Sequence, residues 1–251
     1  MVKFVKRALL CAACLIVFVS CSSEARVATP TPIPLPSATL APTATSQPTP
    51  SPSPSATSVP SPTPDPFIGA NEVFRDTFDD NRNNWFTGTL NAIETDTIDG
   101  GVFKVRWAGK GTSYELYEAR EFTDFIASAD CLIYAGDRDG SCGLLFNHRE
   151  DSGFYKFEVF VDYFRVFVVS GSDEPQLLAE GPVGDLVRPG MPYTVRVVRD
   201  GSRIAVAIAG TTVAELTDTT YIGGKIGIST NCYAVEGDVE VWLDNFTLWE
   251  L

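Results

Sequence analysis

Gly153-Phe154-Tyr155-Lys156-Phe157-Glu158-Val159-Phe160-Val161 is the stretch that decides the fold class. Tyr155, Phe157, Val159 and Val161 fall on one phase of a two-residue period, and Lys156, Glu158 and Phe160 on the other. Successive side chains of a strand point to opposite faces, so this run reads as a strand with one face in a core. The same signature recurs on both sides of it. Phe103, Val105 and Trp107 alternate with Lys104 and Arg106; Tyr193, Val195 and Val197 alternate with Thr194 and Arg196; Ile204, Val206 and Ile208 alternate with alanines. Turn-forming clusters separate the runs, at Gly136 to Gly140, Asp200-Gly201 and Gly223-Gly224. Helical periodicity is nearly absent. About a dozen strands at these intervals predict an all-β, two-sheet antiparallel sandwich over residues 67–251, long enough for one sizeable core.

The chain before this domain has a different character. Lys3, Lys6 and Arg7 give a basic start, Ala8 to Val19 is a short apolar run, and Ser20 precedes Cys21. An apolar run of about twelve residues is too short for a spanning helix, which needs about twenty. A small residue followed by Cys at the end of such a run resembles a bacterial lipoprotein signal, in which Cys21 becomes the lipidated first residue after cleavage of residues 1–20. Phe18 stands where such signals usually carry Leu; an ordinary signal peptide or an uncleaved anchor is the competing reading. Residues 27–66 hold thirteen of the seventeen prolines, and no charged residue occurs between Arg26 and Asp65. A Pro/Ser/Thr composition of this kind cannot bury a core and favours extended polyproline conformations. Residues 21–66 are therefore expected to form a disordered stalk, whose forty proline-rich residues reach roughly 120 Å when extended at about 3.1 Å per residue.

Charge narrows the partners. The chain has 19 basic and 32 acidic residues, a net charge of −13; removing residues 1–20 takes away three basic residues and no acid, leaving −16. Such a balance argues against nucleic acid and anionic lipid surfaces, so the lipid anchor is the only membrane contact expected. The protein is expected to work outside the cytoplasm, displayed on its stalk, as a monomer.

The order of motifs is more specific than any one of them. Phe74-Arg75-Asp76-Thr77-Phe78-Asp79-Asp80 is followed by Trp85. Cys142-Gly143-Leu144-Leu145-Phe146 comes next, and then Gly153-Phe154-Tyr155-Lys156-Phe157. Tyr193 to Gly201 follows, then Gly224-Lys225-Ile226-Gly227-Ile228 and finally Val241-Trp242-Leu243-Asp244-Asn245-Phe246. This succession resembles the concanavalin A-like lectin/glucanase superfamily, closest to its 3-keto-glycoside hydrolase-type and laminin G-like jelly-roll domains. The resemblance implies a jelly roll of two curved sheets with its chain ends paired, and a glycan as the ligand. Two positions depart from it. Asn147 stands where relatives often have Arg, which puts any contact inherited from that Arg in doubt, and Ala209-Gly210 replaces an Asn-Gly turn.

Candidate chemistry is sparse. Glucanases of the superfamily carry Glu-x-Asp-x-Glu on a central strand, one carboxylate serving as nucleophile and another as acid/base. Glu236-Gly237-Asp238-Val239-Glu240 has the spacing but lies near the C-terminus and includes a turn-like Gly-Asp, so it is read as a decoy; no catalytic residue is assigned, and an enzyme is the less favoured alternative to a binding module or an adhesive envelope protein. His148 is the single histidine, which excludes multi-histidine metal sites, and it is read as a solvated loop residue. Asp79, Asp80, Asn81, Asp244 and Asn245 offer oxygens, yet calcium needs six to eight in one place, and no metal or cofactor is assigned. Trp107 and Tyr155 belong to the core phase of their strands. Lys104, Arg106, Lys156 and Glu158 fall on the opposite phase and are the candidate glycan contacts, on one polar sheet face where Phe154 or Phe160 can stack on a sugar. Cys131, Cys142 and Cys232 remain in the domain, an odd number in a disulfide-permissive compartment. A hairpin over residues 136–140 would set Cys131 and Cys142 too far apart, so Cys142–Cys232 is the expected bond.

Overall fold

The computed structural model describes residues 65–251, apart from 137, 151 and 172. Fifteen strands and one short 3-10 turn, Gly184–Leu186, make up the described elements. Two antiparallel sheets hold all of the strands. The nine-stranded sheet runs, in spatial order, β13 (Thr211–Thr217), β12 (Arg203–Ile208), β11 (Tyr193–Asp200), β6 (Phe125–Ala135), β15 (Val239–Glu250), β4 (Phe103–Trp107), β3 (Glu94–Ile98) and β2 (Gly88–Leu90). Its ninth strand, β1 (Asn71–Asp76), pairs with the end of β15 from Phe246 to Glu250, so the two ends of the domain lie side by side. The six-stranded sheet runs β10 (Gln176–Pro182), β9 (Tyr163–Ser170), β8 (Gly153–Val159), β7 (Gly140–Arg149), β14 (Lys225–Cys232) and β5 (Gly111–Leu116).

The apolar phases named above close the core between the sheets. Phe103, Val105, Trp107, Tyr155, Phe157, Val159, Val195, Val197, Ile204, Val206 and Ile208 are all buried in one cluster. Trp107 is 1% exposed and donates its indole N–H to Thr230 Oγ1 at 3.3 Å. Its ring lies where a side chain on Gly111 would stand: an added Cβ there would meet the indole at 2.2 Å, so β5 begins with glycine. Tyr155 turns its hydroxyl out of the core to donate to Asp218, and it also accepts from the Tyr221 backbone N–H at 3.1 Å. A buried hydroxyl with no partner would be costly, and these bonds remove that cost.

Turn chemistry follows the sequence in most places. Asp200 pairs with Arg203 across a two-residue loop, where Gly201 takes φ +55°. Ala209-Gly210 joins β12 to β13 with both residues at positive φ, +47° and +81°, the pattern of a type I′ turn.

The 136–140 turn behaves differently from a hairpin. β6 belongs to the nine-stranded sheet and β7 to the six-stranded one, so the chain crosses between sheets there. Cys131 and Cys142 therefore face each other through the core, with Cα atoms 6.0 Å apart, and form the disulfide. The expected Cys142–Cys232 bond is thus wrong, and Cys232 is a buried free thiol. Consecutive strands need not pair in one ladder: in a sandwich, a tight turn can also change sheets.

Candidate functional site

Directly opposed residues of neighbouring strands share a face, so the register of β5, β14, β7, β8 and β9 lays out the outer surface of the six-stranded sheet. One row across it reads Tyr114, Ser229, Gly143, Glu158, Arg165. The row beside it begins Thr112, Asn231, Ser141. Gly143 places no side chain in the middle of this surface, and Ser141 and Ser229 place little there. Longer side chains from β8 and β9 fill the space.

Lys156 reaches across the sheet. Its Nζ donates to Asn231 Oδ1 at 2.6 Å and to Thr112 Oγ1 at 2.9 Å, and lies 3.2 Å from Glu158 Oε1. Asn231 Nδ2 donates in turn to Ser141 Oγ at 2.6 Å and to Glu158 Oε1 at 2.7 Å. Arg165 Nε donates to Glu158 Oε2 at 2.5 Å, and its Nη2 donates to the Tyr233 hydroxyl. Tyr233 also donates towards Glu158 at 3.3 Å. Lys156 and Glu158 are 3% and 1% exposed, so the pair is buried although it faces outward. Burial pushes the Lys156 ammonium below the usual lysine range; Glu158 opposes that shift and Arg165 adds to it. Burial raises the Tyr233 hydroxyl pKa, and the Glu158 carboxylate raises it further.

Aromatic rings stand on two sides of this network. On one side Phe160 stacks on Tyr163 with centroids 4.2 Å apart, Tyr233 lies 5.7 Å from Phe160, and the Arg165 guanidinium sits 5.1–5.5 Å from the rings of Tyr233, Phe160 and Phe167. On the other side Tyr114, Phe154 and His148 form a triangle with centroids 5.6–6.0 Å apart. Tyr114 and Tyr233 are 39% and 37% exposed and offer ring surface to solvent. His148 belongs to β7 rather than to a free loop, and burial, with Lys225 adding, lowers its pKa.

Only half of the expected glycan contacts gather here. Lys104 and Arg106 lie on β4, in the other sheet. Lys104 pairs with Asp99 at 2.7 Å and sits 4.9 Å from the Trp242 ring, while Arg106 is exposed on that far face. A single face bearing Lys104, Arg106, Lys156 and Glu158 does not exist, because alternation tells core from non-core but not one sheet from the other. Phe160 is 1% exposed and takes part in the Tyr163 stack, so Phe154 is the more open of the two expected stacking rings. The residues that the alternation could not single out are Thr112, Ser141, Arg165, Asn231 and Tyr233. Their signal is register across five strands, which no local pattern contains.

Glu236 and Asp238 lie in the loop before β15; Glu240 lies on β15, on the outer side of the nine-stranded sheet, and accepts from the Trp242 indole N–H at 2.6 Å. Asp80 is tied to Arg82, Asp79 accepts from Thr77, Asn81 donates to the Trp85 carbonyl, and Asn245 donates to Asp130. Burial raises the Asp244 carboxyl pKa, with Asp130, Asp79 and Asp76 adding to it. Among the described residues no group of three or more His, Cys, Asp or Glu is arranged to hold a metal ion. A cleft of about 640 Å³ opens beside β2 and β3, lined by Phe78, Asp79, Asp80, Asp96 and Asp99 among others. Its charged groups are of one sign and its one ring, Phe78, is buried, so it has less to offer a ligand than the six-stranded face. Asn147 sits at a β-bulge with φ +49°, wholly buried and with neither end of its amide bonded. It therefore does not replace the Arg of the related domains as a surface contact.

Comparison with known proteins agrees with this architecture. No protein-family model and no curated protein sequence matches the chain. Among solved structures, the carbohydrate-binding module CBM66 from Bacillus subtilis superimposes with a TM-score of 0.51 at 20% identity, over 65% of this chain and 94% of that one. The catalytic domain of an endo-1,3-β-glucanase (laminarinase) from Thermotoga petrophila gives 0.54 at 10% identity, over 72% and 98%. A Bacteroides ovatus mixed linkage glucan GH16 protein, solved with its product, gives 0.52 at 13% identity, over 70% and 99%. Two antiparallel sheets, paired chain ends and these neighbours together make the domain a concanavalin A-like jelly-roll sandwich.

Proposed function

We propose that this protein is an extracytoplasmic carbohydrate-binding module whose ligand lies across the outer face of the six-stranded sheet. One observation carries the reading. A polar network, buried at Lys156, Glu158 and Asn231 and reaching solvent at Arg165 and Tyr233, lies between two aromatic groups with exposed ring surface. Polar groups of Arg165 and Tyr233 held in place by this network, beside open rings, suit a sugar, which presents hydroxyls at its rim and C–H groups on its faces. Preorganisation lowers the ordering cost of binding. Binding is favoured over hydrolysis because glycosidases need two carboxyl groups about 5–10 Å apart in free acid and base roles. Glu158 is instead committed to Lys156, Asn231 and Arg165.

A glycan array probed with the protein tests this reading, with Tyr233→Ala and Tyr114→Ala as paired variants. Binding that both variants lose supports it. Binding unchanged in both moves the site elsewhere, and no binding to any glycan removes the function.

Attachment through Cys21 and display on the 21–66 stalk complete the proposal. Both rest on sequence pattern, and residues 1–64 lie outside those described. Cys21→Ser should release the protein from the membrane fraction; a variant that stays there after signal cleavage counts against the lipoprotein reading.

A further inference from the structure

Two cations of the six-stranded face converge on one carboxylate. Lys156 and Arg165 both direct their charge at one carboxylate, Glu158. Among the described residues neither cation forms an ion pair with any other carboxylate. Glu180 lies opposite Arg165 on edge strand β10, but it is exposed and forms no ion pair with it among the described residues. The two ion pairs thus set two cations against one carboxylate, in a chain whose net charge is −13.

The two cations differ in what they have left to give. The Lys156 ammonium spends its donors on Thr112, Asn231 and Glu158. Arg165 spends Nε on Glu158 and one Nη2 hydrogen on Tyr233. Its Nη1 and its second Nη2 hydrogen have no protein partner among the described residues. These donors form the end of a planar fork that matches a carboxylate or sulfate bidentately. The fork is already held in place by Glu158 and by the three surrounding rings, and its side chain is 28% exposed.

We infer that the sugar taken by this face is anionic, its carboxylate or sulfate seated on the open edge of Arg165 while the ring lies against Tyr233. This rests on the sugar-binding reading above and adds the charge of the ligand. The acidic surface of the chain does not defeat it: at physiological ionic strength exposed charges are screened beyond about 8 Å, whereas a contact pair on the partly buried Arg165 is screened much less.

The experiment uses the full chain and paired oligosaccharides that differ in charge alone: oligogalacturonides against their methyl esters, and sulfated against desulfated oligosaccharides. The acidic member of at least one pair is expected to bind about tenfold or more tightly than its neutral counterpart, with affinity falling as salt is raised. Arg165→Gln should abolish that preference. Arg165→Lys keeps the charge but loses the fork, so it should retain only part of it; it also serves as the second variant if Arg165→Gln melts at a lower temperature. The carboxylate pair and the sulfate pair separate the two sources of negative charge. Equal binding of both members of every pair overturns the inference and leaves the sugar-binding reading standing. So does binding confined to neutral glycans, or an acid preference that survives Arg165→Gln. Failure of every glycan, acidic or neutral, overturns both.

Discussion

Lys156 Nζ and Glu158 Oε1 lie 3.2 Å apart, two residues along one strand, on the side of the sheet that faces away from the core, and both side chains are almost fully buried. A pair in such surroundings is expensive to break from one side only.

Lys156→Met leaves Glu158 buried with less compensation, and a loss of about 3–5 kcal/mol is expected from breaking such a pair. The double variant Lys156→Met/Glu158→Gln should recover part of that loss, which urea melts of the three proteins will show. The pH dependence has a definite sign. The folded-state pKa of Lys156 is lowered by burial, so above it the unfolded chain holds more protons than the folded one. Wild type should therefore gain stability relative to Lys156→Met as pH rises from that lowered pKa towards the ordinary lysine value of about 10.4. A relative stability that is flat, or falls, over this range contradicts the shift.

Arg106→Ala should leave glycan binding unchanged, because Arg106 lies on the nine-stranded sheet. Tyr233→Ala should weaken binding by about tenfold or more, since aromatic residues dominate such contacts. Titration calorimetry on the two variants, with any array hit as ligand, separates the two faces. Loss of binding in Arg106→Ala would move the site to the other sheet.

Cys131→Ala should cost about 3 kcal/mol, the chain-entropy value for closing a loop spanning a sequence separation of 11. Cys232→Ala should leave the disulfide in place, and peptide mapping without reduction will show Cys131 still joined to Cys142. A Cys142–Cys232 peptide would contradict the structure.

Ala209→Asn should stabilise the domain by about 0.5–1 kcal/mol. Ala209 holds φ +47° in the β12–β13 turn, and Asn tolerates that region better than Ala. The denaturant midpoint should rise with the slope unchanged.

The sandwich was legible because its strands alternate. Phe103, Val105, Trp107, Tyr155 and Phe157 all went to the core, since a two-residue period and burial have the same cause. What alternation could not supply was the partner of each strand. Lys104 and Lys156 carry the same local pattern, yet one lies on β4 and the other on β8, in different sheets. Nor does the non-core phase mean exposure: Glu158 points outward and is 1% exposed, because Asn231, Arg165 and Tyr233 close around it from strands and loops distant in sequence. The Cys131–Cys142 bond was missed for the same reason, as it depends on which sheet each strand joins.

That bond also makes the domain a recorder of where it has been. Every ladder hydrogen bond runs within one leaf of the sandwich, and the sulfur bridge is a covalent cross-link from leaf to leaf beside the connections of the chain itself. In a reducing compartment the leaves are held together without this cross-link, by packing and by the connections of the chain, and after passage into an oxidising one they are also latched at the crossover. Two identical chains thus differ in how readily their interior opens according to which side of a membrane they folded on, and the state of two thiols reports which.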